Sequence, residues 1–247
     1  MNPVKLGILV PSSNTNLEPL TWSILSSLPD VSVHFSRFPV THIALSATAL
    51  SQFDDTAILA AAKLLADAEV DVIGWSGTSS GWLGFEADEK LCRSIEQQTG
   101  TKATTSVLAL NRLLDLVRER ESMALQLGLV TPYLDDVQAA IVSTYGAAGY
   151  EVKAESHLRK TINVEFAKVS ETTLDGQMEE VIGQMEGPKV VTTFCTNLRA
   201  AQRVHFWEEK YRDLYVFDTT ATVVWDMLRM AGVDSKGITQ WGKLFEM

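Results

Sequence analysis

Short apolar runs and stretches of helical periodicity take turns along the chain. Apolar runs rich in Val, Ile, Leu and Phe fall at 4–10, 31–38, 70–75, 125–130, 150–154, 189–194 and 214–217. Between them, apolar positions recur at helical spacing over 53–68, 86–98, 106–118, 133–148, 171–185, 197–210 and 219–231. Each run is the length of a buried strand and each periodic stretch presents one apolar face. Acidic and hydroxyl residues mark helix starts at Asp54-Asp55, Asp135-Asp136 and Asp218-Thr219-Thr220. Strand and helix in alternation predict an α/β fold with mostly parallel sheets, whose ligands gather at the carboxyl ends of the strands.

The pattern also repeats. "LGILVPSSN" (6–14) and "LGLVTPYLD" (127–135) are each an apolar strand that breaks at proline and opens into a polar turn. Gly7 aligns with Gly128 and Pro11 with Pro132, both at an offset of 121 residues. Downstream, "DVIGWSGTSSG" (71–81) echoes "KVVTTFCTNLR" (189–199) at an offset of 118 when Gly77 is set on Cys195. The reading is a duplicated unit: two pseudo-symmetric lobes, each a mostly parallel sheet flanked by helices, with the site in the cleft between them. The first lobe is expected over 1–115, joined by a C-terminal helix 219–247, and the second over 116–218. No hinge-like linker is expected, with crossings near 100–125 and 210–220.

Composition narrows the partners. The 247 residues, 46% hydrophobic and 21% charged, suffice for a full core. A formal net charge of -10 disfavours nucleic acid and anionic membrane as partners. The run at 4–10 is too short for a signal segment or a membrane span. Two distant cysteines, Cys92 and Cys195, make no disulfide framework, so a reducing cytoplasm is the expected location. Histidines 34, 42, 157 and 205 show no metal-ligand spacing. Gly74-x-x-Gly77-x-x-x-Gly81 is not a dinucleotide fingerprint.

The two strand-end loops carry the candidate chemistry. Gly77-Thr78-Ser79 would face Cys195-Thr196-Asn197 across the cleft, with Ser12, Ser13, Asn14 and Tyr133 on the rim. Thr78, Ser79, Tyr133, Thr196, Asn14 and Asn197 are neutral hydrogen-bond donors, a set suited to a carboxylate. It suits an enediolate better, because donors aimed at developing charge are a strong catalytic device. Cys195 would move a proton at carbon. Placed at a helix start, its thiolate would be favoured near neutral pH. Trp75 and Trp82 flank the first loop and are candidates for an apolar wall. Cys92, inside a helical stretch, reads as packing.

"GILVPSSNTNLEP" (7–19), "RFPVT" (37–41), "TPYLDD" (131–136) and "CTNLR" (195–199) together resemble the aspartate/glutamate racemase superfamily, in the branch of maleate cis-trans isomerase and arylmalonate decarboxylase. The resemblance runs over essentially the whole chain. It implies two pseudo-symmetric lobes, no cofactor, no metal, a small dicarboxylate substrate, and a monomer or homodimer. Racemases and maleate isomerase draw one cysteine from each lobe, and the first-lobe position is Gly77 here. Glycine there with a second-lobe cysteine is the arylmalonate decarboxylase pattern. That pattern implies Cys195 as proton donor, with Thr78, Ser79, Tyr133 and the Thr196 amide around the retained carboxylate. Asn14 and Asn197 match the isomerase better and imply a more polar pocket.

Three functions are therefore in play. The first is a cofactor-independent decarboxylase of a malonate-like acid. The second is an isomerase or racemase of a small dicarboxylate, working through Cys195 alone or with Ser76 recruited. The third is a dicarboxylate-binding protein that turns nothing over.

Overall fold

The computed structural model describes residues 3–53, 55–121 and 125–247. In chain order the elements are β1 (Val4–Pro11), α1 (Leu17–Leu25), β2 (Val31–Phe38), α2 (Ala47–Leu50), α3 (Asp55–Asp67), β3 (Val72–Trp75), α4 (Ser80–Leu83), α5 (Phe85–Thr99), β4 (Lys102–Thr105) and α6 (Ser106–Glu121). The second half follows with β5 (Gln126–Thr131), α7 (Asp135–Ala147), β6 (Glu151–His157), α8 (Asn163–Phe166), α9 (Glu171–Ile182), β7 (Lys189–Thr193), α10 (Val204–Lys210), β8 (Leu214–Asp218) and α11 (Thr219–Ala231).

The strands form two four-stranded, wholly parallel sheets ordered β2-β1-β3-β4 and β6-β5-β7-β8. The second order is the first with every strand advanced by four, so the two lobes share one topology. β1 and β5 are the equivalent inner strands, which explains why their sequences echo. Leu6, Ile8, Leu9 and Val10 in β1 and Leu127, Leu129 and Val130 in β5 are fully buried. Each such side chain contributes roughly 1.5–3 kcal/mol when taken from water.

The paired glycines have the same job in both lobes. A Cβ on Gly7 would lie 2.9 Å from Val70 and 3.2 Å from Leu65 at the end of α3. One on Gly128 would lie 2.5 Å from Val181 of α9 and 2.9 Å from Met185. Glycine lets α3 and α9 lie flat on the central strand of their sheets.

Five elements escaped the periodicity reading: the one-turn helices α2, α4 and α8, and also α1 and β4. Helix α1 carries polar residues on its outer face and a proline in its first turn, and β4 is the short run KATT. Several boundaries also differ. Asp54, half of one expected helix-start signal, lies outside the described residues, while Asp55 opens α3. The helix expected over 219–247 stops at Ala231, because Gly232 takes the left-handed conformation at φ 73°. The chain beyond it ends in a short 3-10 turn at Lys243–Glu246 against β8. Asp218 does start α11, its carboxylate accepting the N–H groups of Thr220 (2.9 Å) and Ala221 (3.3 Å). That helix leaves the second sheet and packs on α1, α6, β3 and β4 of the first. Among the described residues no helix is long and apolar enough to cross a membrane.

Candidate active site between the lobes

The loops that follow β1, β3, β5 and β7 (the two inner strands of each sheet) are bonded to one another. From the first-lobe loop after β3, the Thr78 hydroxyl shares a 2.8 Å hydrogen bond with the Tyr133 hydroxyl after β5. Tyr133 in turn reaches the Cys195 sulphur after β7. The Asn14 side-chain amide, after β1, donates to the Thr196 hydroxyl at 3.1 Å, and Thr196 donates to the Ser76 carbonyl at 3.3 Å. All of these residues are buried, Cys195 to 3% exposure. The predicted residues Asn14, Gly77, Thr78, Tyr133, Cys195, Thr196 and Asn197 are thus brought into one cluster, as parallel-sheet topology requires. Ser79 sits at its border, lining a small void with Phe38, Phe53 and Trp75.

Cys195 corrects one expectation. The stretch predicted as helix from residue 197 first makes turns and a 3-10 segment at Ala201–Arg203, and α10 begins only at Val204. The thiol therefore has no helix terminus behind it. Burial pushes its pKa up to about 11, against the Tyr133 hydroxyl and the Asn197 and Leu198 N–H groups, which pull it down. At neutral pH the group is a thiol, an acid ready to give a proton, rather than a standing thiolate. Tyr133 is likewise held neutral, first by burial and then by the neighbouring sulphur. It is wedged edge-on between Trp82 (5.4 Å between ring centroids) and Phe166 (5.8 Å).

Asn14 and Asn197 are occupied with structure. The Asn14 carbonyl oxygen accepts the N–H groups of Asn16 (3.0 Å) and Leu17 (2.9 Å), capping α1. The Asn197 carbonyl oxygen accepts from Thr15 and Asn16 across the lobe boundary, and its amide donates to the Asn163 carbonyl at 2.6 Å. Each retains only one N–H for a ligand, so both act first as pins between lobes. Thr78 and Tyr133 spend one of their two hydroxyl hydrogens on each other, which leaves one donor between two rigidly held oxygens.

At Gly77 a Cβ would collide with the Trp75 indole, at ring atoms Cζ2, Cε2 and Cη2. Trp75 thus packs inside the first lobe, and Trp82 packs on the Tyr133 ring. Cys92 is buried in α5, where burial and then the Asp88 carboxylate push its thiol far up.

Four further residues border the cluster. The hydroxyl of Ser76, the residue considered for recruitment in an isomerase, is buried without a partner before the Gly77-Thr78-Ser79 turn, and the buried Ser80 follows the turn beside the Asp88 carboxylate. Arg37 donates to the carbonyls of Ser12 (2.9 Å) and Asn14 (3.0 Å) and pairs with Glu18, holding the Asn14 loop from behind. Asn163 donates to Ser13 at 2.8 Å and ties the loop after β6 to the first lobe. Nothing in local spacing marks it.

The family model for arylmalonate decarboxylase matches residues 6–245. Solved structures of similar fold include maleate cis-trans isomerase from Nocardia farcinica with a covalently bound succinylcysteine intermediate, at TM-score 0.86, 18% identity and 98% coverage of both chains. Maleate isomerase from Pseudomonas putida S16 aligns at TM-score 0.80 and 22% identity, covering 98% of each chain. A double mutant of arylmalonate decarboxylase in liganded form aligns at 0.85 and 20%, covering 98% of this chain and 99% of that one. A search of curated proteins found no match.

Proposed function

The chain belongs to the arylmalonate decarboxylase family, and we propose that it is a cofactor-independent decarboxylase of a malonate-like dicarboxylic acid. The observation that carries this reading is Cys195: a buried thiol, held protonated, on a cluster whose first-lobe counterpart is Gly77. A proton donor needs the acid form, and a nucleophile or a base needs the thiolate. The environment of Cys195 favours the donor.

In the proposed reaction the bond between the substrate's central carbon and one carboxylate breaks, and carbon dioxide leaves. The electron pair stays with the remaining carboxylate as an enediolate. The Thr78 and Tyr133 hydroxyls, with Ser79 beside them, supply donors toward that charge without adding a full positive charge. The Cys195 thiol then gives its proton to carbon, and the resulting thiolate is reprotonated by water. Because one thiol serves one face, the product of a prochiral substrate is a single enantiomer.

Cis-trans isomerisation by covalent addition asks for a nucleophile in the first lobe. Ser76 adjoins Gly77 in sequence, and its side chain has no partner to act as base. Proton NMR in D2O with phenylmalonate and with maleate tests the choice. Deuterated phenylacetate is expected from the first substrate, with kcat/KM lowered by about 10²–10⁴ in Cys195→Ala. Fumarate from maleate with no monoacid from any malonate would overturn the reading. Saturable binding of both acids without turnover would instead support a binding protein.

A further inference from the structure

Residues two apart on an extended chain face the same side. Trp75, the last residue of β3, and Gly77, two residues on, are such a pair. The indole of Trp75 bends over Gly77 so that its benzo-ring atoms Cζ2 and Cη2, with Cε2, stand where a side chain of residue 77 would begin. The ring is not free to yield. It is 2% exposed and packs against Phe38 with ring centroids 5.0 Å apart. Beyond it, Phe53, Ile58, Leu83 and Leu91 border a partly open pocket with a free volume of only about 40 Å³. That is room for a few waters, not for a displaced indole.

We infer that Trp75 is the residue that denies the first lobe a second acid or base: its indole occupies the position such a side chain would take, and it makes the chemistry of the cleft one-sided. Glycine at 77 is then required by the tryptophan as much as by the substrate. This rests on the reading of Cys195 as the proton donor, and it adds a specificity-determining residue to that reading. Trp75 moves no proton. It acts by filling the space at residue 77 with an apolar ring.

The test is a cycle of Gly77→Cys, Trp75→Val and the double variant, each also carrying Cys195→Ser so that the introduced thiol can be followed. Two measurements are made on the purified chains: melting temperature, and the rate at which iodoacetamide alkylates the residue 77 peptide, read by mass spectrometry. In the Trp75 background, Gly77→Cys is expected to lower the melting temperature by about 2–10 °C, the cost of overpacking a buried site. In the Trp75→Val background the same substitution is expected to cost nothing, and its thiol to be alkylated faster. Trp75→Phe replaces Trp75→Val should the smaller side chain fail to fold. Unchanged stability, with equal alkylation in both backgrounds, would overturn the inference.

The double variant is then given 2-methyl-2-phenylmalonate. The thiol at 77 is expected to protonate the face opposite that served by Cys195 in the wild type, so that the other enantiomer forms. Absence of product from every variant and from the wild type would count against the decarboxylase reading. The occlusion at Gly77, measured independently, would stand.

Discussion

Cys195 shows how far a residue's neighbours decide its chemistry. Its position past a strand and beside Thr and Asn marked it as functional, but its protonation state was not legible from sequence. A helix start would have lowered its pKa, and the turns at 196–200 remove that influence. Complete burial then wins over three hydrogen bonds and leaves a thiol with a pKa of about 11. The consequence is a sign that can be measured. A catalytic acid is competent below its pKa, so kcat for decarboxylation should be flat from about pH 6 to 9 and fall only as the thiol ionises toward 11. A catalytic thiolate would give the reverse, a rate rising through the same range. A pH–rate profile rising tenfold per unit from pH 7 would contradict the proton-donor role. Asn14 and Asn197 carry a related lesson. Their residue type suited a carboxylate, yet their hydrogen bonds are spent on capping α1 and joining the lobes, a use that only tertiary neighbours reveal.

At the scale of elements, the legible part was what local periodicity specifies: seven of the eight strands and the main helices of both lobes. Helix α1 was missed because it spans only nine residues and a proline sits in its first turn. β4 was missed because KATT is short and mildly polar, and its burial is conferred by α5, α6 and α11 packing around it. The duplicated glycines were read correctly as equivalent, and the structure supplies their reason in the approach of α3 and α9. That reason predicts unequal costs. An alanine at either site gains roughly 0.4–1 kcal/mol from a stiffer unfolded chain but loses about 1–3 kcal/mol to overpacking. Overpacking should win at both. It should cost more at 128, where the new methyl meets Val181 at 2.5 Å, than at 7, where the nearest atom is at 2.9 Å. Urea unfolding of Gly7→Ala and Gly128→Ala measures this. Two neutral or stabilising substitutions would mean that the helices can lift from the sheets at little cost.

For the whole molecule, the duplication placed the site before any contact was known: equal topologies bring the ends of β1, β3, β5 and β7 to one cleft. The bonds that close the cleft link residues about 180 apart in sequence, such as Asn14 to Thr196 and Asn16 to Leu198, and no local pattern announces them. Charge is the remaining property of the whole. The net charge is -10, and the buried Asp218 carboxylate adds a negative charge near enough to Cys195 to help push its thiol up. Arg37, which holds the Asn14 loop from β2, is already paired with Glu18. A malonate dianion therefore approaches against the field of the protein, and its encounter should be hindered at low salt. Raising ionic strength from about 0.01 to 0.15 M shortens the screening length from roughly 30 to 8 Å. Screening removes repulsion between distant charges but leaves the buried hydrogen bonds of the bound complex nearly untouched. The expected result is a kcat/KM for phenylmalonate that rises a few-fold with salt while kcat stays constant, the change residing in KM. A fall in kcat/KM over that range would mean that the entrance to the cleft is locally positive and that steering, rather than the neutral donor set alone, brings the dianion in.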